Sequence, residues 1–391
     1  MTKRYLYHIV KDDALAANKM AFISGPRQVG KTTLAKEFLS SEQNYFNWDQ
    51  TSFRKTWAKN PDAILEQSGA GIVVLDEIHK DRRWKQRLKG LYDSANKDVQ
   101  MIITGSARLD IYRKGGDSLL GRYIPYRLHP FTAAESSSPS SPMKAFEPDL
   151  ARVRFNVDDL LSYGSFPEPL FAANVNQSKR WSRLRLERLV QEDVRDLRNI
   201  QDLSALTVLC DFLPSRVGSL LSINNLREDV GVAYATVRDW IQVLATLYVC
   251  FLVKPYATKL NRMVTSEPKL YLFDYLQIDD PGAKLENLTA LHLLKACDYW
   301  TDSAQGIFTL NFVRSKDKKE VDFLIVRDKK PWMLVECKSN NKKISPSLLR
   351  FKDQLKTPFN FQLVKDKSFH RFDKDNNIHI SDYSRFFSCL V

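Results

Sequence analysis

Apolar residues in this chain gather into short runs closed by turn-forming or acidic residues. Residues 20–23, 71–75 and 100–103 are such runs, and helical patterns separate them, near 12–18 and from about Lys31 onward. Short apolar strands alternating with helices predict a parallel sheet covered by helices. The Ser/Pro-rich stretch 135–143 predicts a loop that closes this first domain. Residues 158–211 read as mostly helical, with a turn at 164–169. Residues 222–253 read as helix, turn at Gly231, helix, with Val237, Ile241, Leu244 and Tyr248 on one face. The last third returns to strands at 308–313, 321–326 and 332–337, and no internal repeat is present.

The first run leads into Gly25-Pro26-Arg27-Gln28-Val29-Gly30-Lys31-Thr32-Thr33, a complete Walker A pattern between a strand and a helix. Its two glycines let backbone N–H groups approach phosphates, and the helix start adds partial positive charge. Lys31 reaches the β- and γ-phosphates of ATP, and the Thr32 hydroxyl is a Mg²⁺ ligand. The second run ends in Asp76-Glu77, a Walker B arrangement: Asp76 for the Mg²⁺ shell, Glu77 to polarise the attacking water. The third ends in Thr104-Gly105-Ser106, whose hydroxyls are candidates to sense the γ-phosphate or hold the water. Arg122, in Leu119-Leu120-Gly121-Arg122, is a candidate finger into a neighbouring subunit's site, with a surface ion pair as the alternative.

Composition narrows the setting. A chain of 391 residues suggests two or three domains, and 43% hydrophobic residues provide cores for them. No apolar stretch reaches the ~20 residues that span a bilayer. No apolar segment follows the charged residues at the start, so the expectation is a cytoplasmic protein without membrane association. The five cysteines are scattered and never form Cys-x-x-Cys, which fits neither zinc nor a disulfide framework. Net charge is +13, and residues 307–391 hold 18 basic against 10 acidic side chains. Such a field favours polyanions, DNA foremost, although a lysine-rich surface also serves solubility.

Near the end, Glu320-Val321-Asp322 and Val335-Glu336-Cys337-Lys338 lie in strand patterns, with Glu336 and Lys338 on one face. If Asp322 faces them from an adjacent strand, two carboxylates hold a divalent metal beside a lysine that orients or deprotonates water. Glu320 reads as an exposed carboxylate at a strand end, and a lone His292 on an amphipathic helix as structural. In the second helix of the 222–253 segment only Arg238 is basic, so Lys254, Lys259 and Arg262 are better phosphate contacts. The helix carrying Arg180, Arg183, Arg185 and Arg188 reads as amphipathic with a solvated basic face.

Gly25 to Thr33, Asp76-Glu77-Ile78-His79-Lys80 and Gly105-Ser106-Ala107-Arg108 together resemble a prokaryotic AAA-type P-loop ATPase family with a C-terminal domain of unknown function. The turn 163–168 and Leu285-Glu286-Asn287-Leu288 are similar to later landmarks of that family, so the resemblance runs from about residue 4 to 339. It implies an α/β fold: an AAA+ core over 1–135, a helical lid over 150–211, a winged-helix segment over 212–265 and a restriction-endonuclease-like domain over 266–391. Asp322, Glu336 and Lys338 are similar to the three PD-(D/E)xK nuclease residues, with Glu286 as the extra acidic ligand and Mg²⁺ or Mn²⁺ as the metal. Homo-oligomers are implied too. The expected activity is ATP hydrolysis on DNA with metal-dependent cutting. The alternative is a nucleotide-dependent switch or nucleic-acid binder whose nuclease-like domain does not cut.

Overall fold

In the computed structural model, the described residues are 4–68, 71–96, 98–105, 119–137, 146, 148, 150, 157–194, 202–257, 267–338 and 342–391. They form two compact units, the first reaching Pro130 and the second beginning at Phe131. Ser106, Lys259 and Arg262 lie outside the described residues.

Every position of β1 (Met20–Ser24) is buried, as expected of a strand covered on both faces. With β2 (Tyr45–Asn47), β3 (Gly71–Asp76), β4 (Val99–Thr104) and β5 (Tyr123–Arg127) it forms a parallel sheet ordered β2-β3-β4-β1-β5. Pro125 is tolerated because β5 is an edge strand. Met20, Phe22, Val73, Leu75, Met101 and Ile103 of this sheet pack into one core with Phe46, Trp57, Trp84 and Leu88. The crossover order matters for function. It inserts β4 between the strands ending at the Gly25 loop and at Asp76, and registers Thr104 opposite both Ile23 and Asp76.

The second unit carries a mixed eight-stranded sheet ordered β12-β13-β11-β10-β9-β8-β6-β7. Its strands are β6 (Cys250–Pro255), β7 (Lys269–Leu272), β8 (Phe308–Arg314), β9 (Glu320–Arg327), β10 (Lys330–Cys337), β11 (Phe359–Val364), β12 (His370–Asp373) and β13 (Ile378–Asp382). Helices Ile223–Val230 and Tyr234–Thr246 flank Gly231, whose φ of 76° ends the first of them. The antiparallel pair β6–β7 follows these helices. Because β6 also pairs with β8, the boundary expected near residue 265 falls inside a single sheet.

Two further expectations need correction. Residue 135 was expected in a loop, but Ala133–Ser137 is helical and Glu135 is buried in the second unit. There the Lys295 ammonium donates to Glu135 Oε2 at 2.6 Å and to Thr132 Oγ1 at 2.9 Å, with both Lys295 and Glu135 side chains at 0% exposure. Arg185 was expected on a solvated face; it is buried instead, its guanidinium 4.2 Å from the Phe166 ring, which lets a charged side chain pack as a flat plate. Arg180, Arg183 and Arg188 are exposed.

His292 is structural, as its sequence setting suggested. Its Nδ1 donates to Leu288 O and its Nε2 accepts the Ala133 N–H, so the ring is neutral and stacks on Phe387. Burial pushes its pKa down to about 3. Among the described residues, no helix is long and apolar enough to cross a membrane.

Candidate functional site

The loop after β1 is shaped by steric demands that only its glycines meet. Gly25 has φ 150°, and a Cβ there would come within 2.3 Å of Leu128 O. Gly30 has φ 96° and starts the Lys31–Lys36 helix. Arg4 braces the loop from below, donating from Nη1 to Val29 O at 2.5 Å and from Nη2 to His129 O at 2.6 Å. Lys31 Nζ lies over the loop, donating to Gly25 O at 3.0 Å and Pro26 O at 2.7 Å. Pro26, Arg27, Gln28 and Val29 form the loop between the two glycines, with Gln28 at φ 62°.

Asp76 is the hub of the site. Thr32 Oγ1 donates to its Oδ2 at 2.8 Å, Tyr45 OH donates to the same oxygen at 2.7 Å, and Thr104 Oγ1 donates to Oδ1. The structure thus joins the Walker A hydroxyl, the Walker B carboxylate and the β4 hydroxyl in one network. Thr32 and Asp76 stand together as a hydroxyl–carboxylate pair next to Lys31, a donor set that suits Mg²⁺.

Glu77 follows in the left-handed region at φ 59°, fixed by its N–H donating to Thr104 O at 2.9 Å. Its carboxylate lies 3.6 Å from His79 Nε2 and 3.8 Å from Lys80 Nζ. Burial raises its pKa, while Lys31, Lys80 and Arg27 pull it back. Thr33 is on the Lys31–Lys36 helix and, among the described residues, takes no part in this network. Arg122 pairs with Asp93, Nε to Oδ1 at 2.8 Å, so any reach into a neighbouring subunit requires that pair to open.

The second constellation lies on β7, β9, β10 and the Pro281–Asp302 helix. Asp322 Oδ2 accepts the Cys337 N–H at 2.8 Å, which ties β9 to β10 at the level of the acidic groups. Lys338 Nζ is 2.6 Å from Glu336 Oε1, which also accepts from Ser345 Oγ at 3.2 Å. Glu286 Oε1 accepts from Tyr271 OH at 2.8 Å.

Lys269 is the group the sequence did not reveal. Its ammonium lies 2.6 Å from Glu320 Oε1, 3.5 Å from Glu286 Oε1 and 3.7 Å from Asp322 Oδ1, with the side chain 4% exposed. Burial works against its charge, but the carboxylates of Glu286, Asp322 and Glu320 hold it above the ordinary lysine range. Glu320, expected to be merely exposed, is therefore an ion-pair partner of Lys269 and, at 3.1 Å, of Arg314.

The metal set expected from Glu286, Asp322 and Glu336 is not assembled in this geometry. Among the described residues no group of three or more His, Cys, Asp or Glu side chains is arranged to hold a metal ion. The reason is visible: Glu286 and Asp322 turn to Lys269, and Glu336 turns to Lys338. As arranged, the residues do not fit a divalent metal.

Burial raises Glu336 to about 7, with Asp322 adding and Lys338 and Ser345 pulling back. The folded state thus holds this proton longer than the unfolded chain does. Its contribution to stability is full below about 4.5 and declines as pH rises to about 7, a loss on the order of 1–3 kcal/mol. Glu336→Gln is therefore expected to flatten the fall in unfolding temperature between about pH 5 and pH 8, followed by thermal melts across that range.

Residues 17–137 match the model of an AAA domain. The matched segment contains β1 to β5, the Gly25 loop, Asp76 and Thr104, so the similarity to an AAA domain covers the parallel sheet and the site built on it. Residues 154–275 and 281–386 match two domains of unknown function, DUF8612 and DUF4143.

Uncharacterized protein MJ1637 of Methanocaldococcus jannaschii is 25% identical, covering 94% of this chain and 89% of that protein. Uncharacterized protein Rv2008c of Mycobacterium tuberculosis is 24% identical, covering 73% of this chain and 66% of that protein. Among solved structures, the Aeropyrum pernix ORC1 protein in complex with DNA is 16% identical and covers 73% of this chain and 91% of that one, at a TM-score of 0.30. AMPPCP-bound DnaA from Aquifex aeolicus is 12% identical and covers 61% and 85%, at a TM-score of 0.31. Likenesses this loose do not bear on activity.

In the first unit, sequence reasoning missed Tyr45 and Arg4. Tyr45 sits on a three-residue strand that no motif marks, yet its hydroxyl shares an Asp76 oxygen with Thr32. Burial first, and then Asp76, push that phenol well above its usual range, so it remains a donor.

Proposed function

We propose that this chain binds and hydrolyses ATP at the Gly25–Thr33 loop and uses that cycle to act on DNA as a homo-oligomer. The observation that carries the reading is the meeting of Thr32, Thr104 and Tyr45 on Asp76, beside Lys31. The Gly25–Thr33 backbone would cradle the phosphates and Lys31 would counter their charge. Thr32 and Asp76 would hold Mg²⁺, which neutralises phosphate charge when bound. Glu77 would take the proton of the attacking water, and its burial raises its basicity for that task. Thr104 holds Asp76 in place, and Ser106 and Arg122 remain the further catalytic residues of the proposal.

DNA is the partner favoured by charge. The +13 excess is concentrated in the last part of the chain, and a field of that sign attracts polyanions. The test is ATP turnover with and without plasmid and single-stranded DNA at several salt concentrations. DNA stimulation that fades with salt supports the reading, and turnover indifferent to DNA removes DNA from it.

For the second unit, one observation favours binding over cutting: Lys269 stands among the carboxylates that a metal-dependent nuclease would need free. The chain would then be a nucleotide-dependent binder whose nuclease-like domain holds nucleic acid. Incubation of plasmid with the protein, ATP and Mg²⁺ or Mn²⁺ is expected to leave the DNA intact. Cleavage that disappears in Lys338→Ala would restore the nuclease.

A further inference from the structure

The acidic centre of the second unit carries its own cation. Lys269 enters from the start of β7, where the backbone is fixed on both sides: it is opposite Val253 in β6 and bridged to Leu220. Its ammonium faces Glu320 and Asp322 of β9 and Glu286 of the Pro281–Asp302 helix, and lies 5.6 Å from the Phe312 ring. Each of these carboxylates is held by a second donor: Glu286 by Tyr271, Glu320 by Arg314, and Asp322 by the Cys337 N–H. This is a built arrangement rather than a side chain resting on a surface, because a buried ammonium persists only when its charge is met.

One acceptor stands outside it. Glu336 is 3% exposed, and its Oε2 is buried with no hydrogen-bond partner among the described residues, while Oε1 takes Lys338 and Ser345. Buried carboxylate oxygens are ordinarily satisfied, so this one marks a position where a cation would gain a ligand.

We infer that Lys269 is a built-in substitute for a divalent cation, and that Asp322 and Glu336 form a latent divalent-metal site that opens only when the Lys269 ammonium is removed. This rests on the reading of residues 266–391 as a nuclease-like centre that does not cut, and it names the group that keeps the metal out. The competition is direct. A divalent ion of the Mg²⁺ class needs carboxylate oxygens at about 2.0–2.2 Å, and Asp322 Oδ1 is turned to the ammonium. Neutralising the lysine without shortening the side chain much, as in Lys269→Met, returns that oxygen and leaves the acidic cluster short of one positive charge.

The test is a titration of the full-length chain with Mn²⁺ alone, free and bound ion being counted by electron paramagnetic resonance. Wild type and Asp322→Asn are expected to bind the same number of Mn²⁺ ions, because any Thr32–Asp76 site is common to both. Lys269→Met is expected to bind one more ion per chain, and Lys269→Met/Asp322→Asn to lose it. Wild type binding one more ion than Asp322→Asn overturns the inference, and that comparison does not depend on whether Lys269→Met folds. A folded Lys269→Met that gains no ion overturns it as well. Cutting is scored separately: an added ion without cleavage leaves the inference standing and removes nuclease chemistry from the second unit.

Discussion

Glu77→Gln is expected to bind ATP as wild type does and to hydrolyse it about 10²–10⁴-fold more slowly, the range for removal of a positioned general base. The substitution keeps the size of the side chain and takes away only its capacity to accept a proton. Binding is expected to survive because the loop, Lys31 and the Thr32–Asp76 pair do not depend on the Glu77 carboxylate. The backbone is expected to hold as well, since the N–H bond to Thr104 O fixes the left-handed turn whatever the side chain. Phosphate release and fluorescent-nucleotide titration, run side by side, separate the two effects. Unchanged turnover would assign the base to another residue.

Lys295→Met is expected to cost the second unit about 3–5 kcal/mol, because it strips the ammonium from a fully buried Glu135. For a unit of this size that corresponds to a drop in unfolding temperature of roughly 10 °C. The double variant Lys295→Met/Glu135→Met is expected to recover much of the loss, since two apolar side chains leave no uncompensated charge. Differential scanning calorimetry on the three proteins reads this directly. A single variant as stable as wild type would show that Glu135 is neutral in the folded protein or is held by other partners.

The parts of this molecule that were legible in the sequence are those where chemistry and local geometry coincide. Gly25 and Gly30 announce a tight loop between strand and helix because their backbone angles exclude other residues. The runs before Asp76 and Thr104 became β3 and β4 because a strand buried on both faces must be apolar throughout. The run at 332–337 became the core of β10 for the same reason. By contrast, β2 has three residues and β5 contains Pro125, so neither carries a pattern strong enough to stand out.

The acidic centre was half legible. Asp322, Glu336 and Lys338 follow a recognisable spacing, and the structure ties β9 to β10 through Asp322 and the Cys337 N–H. Lys269 lies more than fifty positions before Asp322 in a segment without a motif. Only the pairing of β7 with β6, and of β6 with β8, brings it to the carboxylates. Glu135 was misread for a similar reason: a serine-rich neighbourhood suggests a loop, and the partner that buries it is 160 residues away.

The central claim is hydrolysis of ATP at the Gly25–Thr33 loop, and the most direct test is Mg²⁺-dependent ATP turnover by the purified full-length chain beside Lys31→Ala. Turnover in wild type that falls by about 10²–10³-fold or more in Lys31→Ala, with the variant's circular dichroism and melting curve unchanged, is the result the account predicts. Equal turnover in the two proteins, or none in wild type with or without DNA, would contradict it.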